Sequence, residues 1–318
     1  MAQAPAGGQG SGVSSDRIPP HLYFVVSAVF HYLGPAFAVL LFARVPVLGV
    51  AWLRIASAAL VFSVWRRPWR AVAGLDRPGR ALLLAWGAVL AVMNCCFYLA
   101  VDRLPLGTVA AIEFLPVIAL AALGARTPRN AFALLLAVPG VYLLTGVRIE
   151  GETLGVALAF ANAGLFAAYI VLAHRVARLE ELSGIDGLAL SMLIALVVVT
   201  PLAGWAALPA LVDPVALLAG AGVGISSSVI PYVSDQLAMR RLARATYALM
   251  VSLLPATATV IGVVVLAQVP TWTELAGVAL VIAGVAVHRE PQAADRLPSP
   301  YGAERNRSAR VRRRLRTG

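Results

Sequence analysis

Apolar positions in this chain fall in long unbroken runs, with polar residues gathered between the runs and at the two ends. Each run is about 20 residues long, the length a helix needs to cross roughly 30 Å of hydrocarbon. The runs predict spans at 22–43, 47–65, 81–101, 106–125, 131–147, 154–174, 187–208, 214–239, 245–267 and 271–288. In lipid the backbone must satisfy its own hydrogen bonds, which leaves helices or closed barrels. Barrel strands alternate polar and apolar residues, and these runs do not. The expected fold class is an all-α membrane protein of ten transmembrane helices. Residues 1–20 are rich in Gly, Ser and Pro and are expected to be a disordered cytoplasmic segment, without the charged-then-apolar pattern of a cleaved signal.

Composition agrees with the pattern. The 318 residues are 60% hydrophobic and 13% charged, against roughly 25% charged in soluble domains. A soluble chain of this make-up could not cover its core. The basic residues, 26 in all, are arginine without exception, and with abundant Ala, Gly, Val and Leu this points to a GC-rich bacterial genome. Arginine placement then predicts orientation. Arg66, Arg67, Arg70, Arg77, Arg80, Arg126, Arg129, Arg175, Arg178, Arg240, Arg241 and Arg244 fall on one side, with Arg17 and nine arginines of the tail. Only Arg44, Arg103 and Arg148 fall between spans on the other side. Positive charge collects on the cytoplasmic face, so both termini are expected in the cytoplasm of a bacterial inner membrane.

The chain also repeats itself. "LAVDRLPLGTVA" from Leu99 aligns with "LAMRRLARATYA" from Leu237, and "GVYLLTGV" from Gly140 resembles "GVALVIAGV" from Gly277. Repeats of five spans, at 21–147 and 154–288, must have opposite orientations because five is odd. Inverted repeats of this kind mark secondary transporters, with the binding site near the midplane between the halves.

Within the spans, a few polar residues stand out. Glu113 sits in "VAAIEFLPVIALAAL", about seven residues into the fourth span and on the order of 10 Å deep. Arg54 and Asn94 lie at matching depth on the second and third spans. One buried cluster is expected, because an unpaired charge in lipid is costly. Glu113 and Arg54 could form a brace within the first half. They could instead line a cavity in which Glu113 binds a substrate ammonium or carries a proton. If they pair, Glu113→Gln should cost more folded protein than Arg54→Leu, since arginine cannot neutralise itself.

Further candidates lie on neighbouring spans. His31 and Tyr32 interrupt the first span, where a histidine could relay protons or simply pack. Asn162 and Tyr169 are seven residues apart and share one helix face. Tyr98, Tyr232 and Tyr247 could stack on a ligand or anchor at the interface. In "ISSSVIPY", Ile225 to Tyr232, backbone carbonyls freed near Pro231 could line a cavity, or the serines could knit helices together. Gly220 and Gly224 suit a close helix contact, and Asp235 an interfacial pair with Arg240. The adjacent Cys95 and Cys96 point about 100° apart on a helix, which disfavours a disulfide between them.

No soluble chemistry is visible. A phosphate-cradling Gly-Lys-Ser/Thr loop is missing, metal-ligand spacing is missing, and no cofactor or catalytic activity is expected. The tail "SARVRRRLRTG" follows the last span, which favours anionic lipid headgroups over nucleic acid as its partner.

The segments "MNCCFYLAVDRLPLGTVAAIEFLPVIALAAL", "WLRIASAALVF" with "RRPWR", and "ISSSVIPYVSDQLAMRRLARATYALMVSLLPA" resemble the drug/metabolite transporter superfamily, EamA-like branch, and within it the bacterial threonine/homoserine exporters. The resemblance implies two inverted five-helix repeats around a central cavity, and export of amino acids or related small metabolites by alternating access. It also marks two departures. Leu254 precedes Pro255 where the family usually has Glu, and Ala267-Gln268 stand where it usually has Gly-Glu. These departures bear on threonine/homoserine specificity. A permease for another metabolite or drug-like compound, and a membrane scaffold or sensor without transport, are the competing readings.

Overall fold

The computed structural model describes residues 19–72, 75–124, 127–146, 149–176, 179, 182, 184–234 and 253–287. Among them every regular element is helical. The longer helices among the described residues are α1 (Pro20–Leu41), α2 (Val47–Arg66), α3 (Arg77–Val101), α4 (Leu106–Gly124), α5 (Pro128–Gly146), α6 (Ile149–Val176), α7 (Gly184–Ala203), α8 (Pro214–Gly224), α9 (Leu254–Leu266) and α10 (Trp272–Val287), with a single turn at Trp69–Val72 after α2. A π-helical turn, Ile225–Val229, prolongs α8, and short turns at Gly204–Ala207 and Leu208–Val212 prolong α7. Among the described residues six segments are long and apolar enough to cross a membrane: His21–Leu41, Val47–Arg66, Arg77–Val101, Glu152–Val176, Ile185–Val212 and Pro214–Ser234. Leu106–Pro116, Pro128–Leu144, Leu254–Leu266 and Trp272–Val287 are shorter apolar helices. Tyr247, the pair Asp235 and Arg240, the second arm of the long repeat and the arginine-rich tail lie outside the described residues.

Polar residues at the helix ends explain where several helices start. The Asp76 carboxylate accepts the Gly79 N–H at 2.8 Å ahead of α3. Asp213 accepts from Val215 and Ala216 ahead of α8, and the Ala216 N–H, with that of Val215 and with Arg44, holds its carboxyl below the usual carboxylate range. Thr271 and Glu274 form a capping box on α10: Glu274 Oε2 accepts the Thr271 N–H at 2.8 Å and Thr271 Oγ1 accepts the Glu274 N–H at 3.2 Å.

Burial is inverted relative to a soluble domain. Leu60, Leu135, Val197, Leu218 and Val264 are exposed on the outside. Asn94, Glu113, Asn162, Ser227 and Ser228 are buried inside. Lipid is the solvent that rewards this arrangement, and the protein is a multi-pass membrane protein. Exposed Trp65 and Trp69 mark one end of the bundle, and exposed Trp205 and Trp272 the other, as indole rings do at the two lipid–water interfaces.

Small residues let the helices approach. In α5 and α10, a Cβ on Gly140 would stand 2.8 Å from the Gly277 carbonyl, and a Cβ on Gly277 would stand 2.8 Å from that of Gly140. Gly220 meets Leu53, and Gly224 lies against the Arg54 carbonyl and Ser57, so this pair of glycines does make a close contact, with α2. Cys95 and Cys96 are free thiols.

Candidate functional site

The site begins with a defect in a helix. Pro231 has no N–H, so the Ser227 carbonyl one turn earlier loses its usual partner. The chain also widens into a π turn over Ile225–Val229, with the Ile230 N–H reaching back to the Ile225 carbonyl. Such turns leave backbone acceptors for other groups. Arg54 takes them up from α2. Its Nη2 donates to the Ser227 carbonyl at 3.3 Å, its Nε to Ser228 Oγ at 3.2 Å and its Nη1 to the Tyr98 hydroxyl at 3.5 Å. The guanidinium also lies 5.5 Å from the centre of the Tyr98 ring, a cation–π distance. From α1, Ser27 donates to the Pro231 carbonyl at 3.3 Å. Gly34 approaches Ser226 and Ser227 so closely that a Cβ there would clash.

Glu113 belongs to a second polar group. It is 7% exposed on α4 and accepts a hydrogen bond at Oε1 from Asn162 Nδ2, at 3.1 Å, from α6. The orientation of that amide follows from chemistry, since only its NH2 can donate to a carboxylate. Asn162 Oδ1 is therefore turned elsewhere and has no hydrogen-bond partner. Tyr32 on α1, wholly buried, has an unpartnered hydroxyl within electrostatic reach of Glu113. Half-buried His31 sets its ring edge-on to Tyr32, with centroids 5.0 Å apart.

Arg54 and Glu113 do not form the expected ion pair. The ion pairs among the described residues are Arg44–Asp213 at 3.2 Å, Arg66–Asp186 at 2.8 Å and Arg103–Asp102 at 3.3 Å. Depth along a span is one coordinate and direction around it is another. Helix α2 packs chiefly on α7 and α8, whereas α4 packs on α6, α5 and α9. The two charges sense each other without touching. Asn94 also stands apart from the expected cluster: its Nδ2 donates to the Leu90 carbonyl of its own helix at 2.8 Å.

The shared face of α6 links the two groups. Asn162 holds Glu113, Phe166 meets Phe114 edge-on at 6.4 Å, and Tyr169 shares a 2.7 Å hydrogen bond with Tyr232. Phe166 stacks on Tyr169 at 6.1 Å, and Trp86 packs beside it at 5.7 Å. Sequence reasoning notes Tyr32 beside His31 and the serines of "ISSSVIPY" without giving either a partner, and it leaves Phe166 and Trp86 out of the site.

A separate cavity of about 330 Å³ opens where α3 meets α4 and α9 meets α10, lined by Asp102, Arg103, Thr108, Thr259, Gln268 and Glu274 among others. Here the departure at the end of α9, Ala267-Gln268, gains a structure. Gln268 Oε1 accepts the Leu106 N–H at 3.1 Å and so caps α4, a task for any acceptor oxygen. Ala267 holds a left-handed conformation, φ 53°, which glycine adopts without strain.

Residues 153–288 match the family model described as "EamA-like transporter family". The threonine/homoserine exporter RhtA of Salmonella typhimurium strain LT2 is 30% identical over 290 residues, covering 88% of this chain and 97% of that protein. The chain belongs to the EamA-like transporter family. RhtA of Escherichia coli K12 is 32% identical over 253 residues, covering 79% of this chain and 84% of that protein. A solved crystal structure shares the fold of this EamA-like chain with a TM-score of 0.52 at 19% identity, over 85% of this chain and 97% of the other. The relatives are exporters, not enzymes, and a transporter of this family acts on a small-molecule substrate.

Proposed function

We propose that this protein exports threonine- or homoserine-like amino acids, or related small metabolites, across the bacterial inner membrane as a secondary transporter. The observation that carries the reading is the near end-to-end similarity to threonine/homoserine exporters. Ten spans in two inverted repeats, with both termini cytoplasmic, complete it. The family match over 153–288 supports treating the second half as one unit. Repeat-related segments also meet across the halves: Gly140 of the first lies on Gly277 of the second, as elements near a pseudo-two-fold axis do. Alternating access would rock one half against the other about the interior that holds Arg54, Tyr98, Glu113, Asn162, Tyr169 and Tyr232.

Overexpression in a threonine-sensitive bacterial strain, with efflux of a panel of amino acids measured from preloaded cells, tests the proposal. Faster release of threonine or homoserine, with raised resistance to them, is the expected result. Faster release of some other metabolite alone would favour a different permease. That second reading draws on Leu254 and Gln268, both apolar or neutral where the family usually carries Glu.

A further inference from the structure

Three oxygen atoms of the interior make an unbalanced set. Glu113 is a carboxylate with one oxygen on Asn162. Asn162 Oδ1 and the Tyr32 hydroxyl are buried without partners, and both residues are 0% exposed. Only one other side-chain atom among the described residues, Trp86 Nε1, is in that state. Buried polar atoms of membrane helices are normally paired, because hydrocarbon offers no substitute for water. Asn162 holds the carboxylate directly, and Tyr32 lies in the same buried cluster as Ile112 and Phe114 on either side of Glu113, so the two orphans and the carboxylate form a unit. Its members come from α1, α4 and α6, so the unit spans both halves of the chain.

The donor and acceptor inventory fixes what would complete it. A carboxylate and an amide oxygen can only accept, and a phenol oxygen can accept as well. A primary ammonium has three N–H donors and no acceptor, with a charge opposite to that of Glu113. Arg54, the nearby cation that Glu113 senses, is held by Ser227, Ser228 and Tyr98, and uses three of the five N–H donors of a guanidinium on them. It keeps donors for an anion.

We propose that Glu113, Asn162 Oδ1 and the Tyr32 hydroxyl form the seat for the α-ammonium of a zwitterionic amino acid, whose carboxylate turns toward Arg54. The inference rests on the export reading and sharpens it. It makes a free primary amine the recognised feature, more than the substrate side chain. It also assigns the α1 tyrosine a binding role. The cavity at the other site is not part of the seat: there the Glu274 carboxylate already serves the capping box of α10.

The test uses two readouts. In proteoliposomes loaded with homoserine, counterflow of labelled homoserine is competed by threoninamide, N-acetylhomoserine and 2,4-dihydroxybutyrate. The same compounds are added to the purified protein in detergent while its melting is recorded. Threoninamide, which keeps the ammonium, should compete and raise the melting temperature. The N-acetyl and hydroxy analogues should compete at least about tenfold more weakly, having lost a charge-assisted donor set. Tyr32→Phe separates binding from structure. Removing a hydroxyl that has no partner should leave melting unchanged or higher, while KM for homoserine rises about tenfold. Asn162→Leu should act in the same direction on KM.

Equal competition by N-acetylhomoserine, or an unchanged KM in Tyr32→Phe, would overturn the seat and leave export standing. Melting that responds to sodium over choline, and not to threoninamide, would assign the three oxygens to a metal cation and also overturn it. Binding of threoninamide by a protein that exchanges no amino acid would keep the seat and sink the export reading.

Discussion

Arg54 and Glu113 are two charges that the interior must accommodate, and the structure gives each its own solution. Arg54 takes a carbonyl released by Pro231, a serine hydroxyl and a tyrosine, while Glu113 takes an asparagine N–H. This reverses the order expected of a pair. Arg54→Leu would strip partners from the Ser227 carbonyl, Ser228 and Tyr98 at once, at a cost of about 2–3 kcal/mol. Glu113→Gln keeps an oxygen for Asn162 and should cost under about 1 kcal/mol. Melting of the purified variants checks the order. The double variant should be near-additive, with a coupling below about 1 kcal/mol. Coupling of several kcal/mol would mean that the two side chains touch after all.

At the scale of the element, the ends and interruptions of helices decide more than their apolar middles do. The π turn at Ile225–Val229 and Pro231 turn α8 from a plain span into a source of acceptors for Arg54. The end of α9 is a second case. Ala267 closes the helix with φ 53°, its N–H on the Gly262 carbonyl. This position suits glycine, because a Cβ there crowds the backbone. Ala267→Gly should therefore stabilise the folded protein by about 0.5–1 kcal/mol, read as a higher melting temperature. Transport should be unaffected, since Gln268 still caps α4. A lower melting temperature would show that the strain is relieved elsewhere.

At the scale of the molecule, the arginines of the described residues are concentrated at one end of the bundle. Arg66, Arg67, Arg70, Arg77 and Arg80 lie with Trp65 and Trp69 on that end, where Arg66 also pairs with Asp186. The other end has Arg44 and Arg103, each beside an aspartate. With α10 ending on the arginine-rich side, where the Val287 carbonyl accepts from Arg129, a C-terminal fluorescent fusion should be bright and a C-terminal alkaline phosphatase fusion inactive. The opposite pair of results would invert the topology. Deleting residues 289–318 should loosen attraction to anionic lipid and leave efflux intact in correctly inserted protein, with efflux from a truncated strain as the measurement.

Much of this protein is set by one-dimensional pattern. Long apolar runs exceed what a soluble surface can cover, so the membrane and the helical class follow from the sequence. The resemblance carried by residues 93–123 and 225–256 points to the EamA-like family, and the approximate positions of the described helices follow from hydropathy. Individual polar residues such as Glu113, Arg54, Asn162 and Tyr232 also stand out, because each is costly in lipid. What they touch was not legible. Depth can be counted along a span, but the direction a side chain faces depends on which helices pack beside it. Gly140, Gly220, Gly224 and Gly277 set those contacts by close approach. Only the packed structure could therefore separate Arg54 from Glu113, return Asn94 to its own helix, and set Asn162 against the carboxylate.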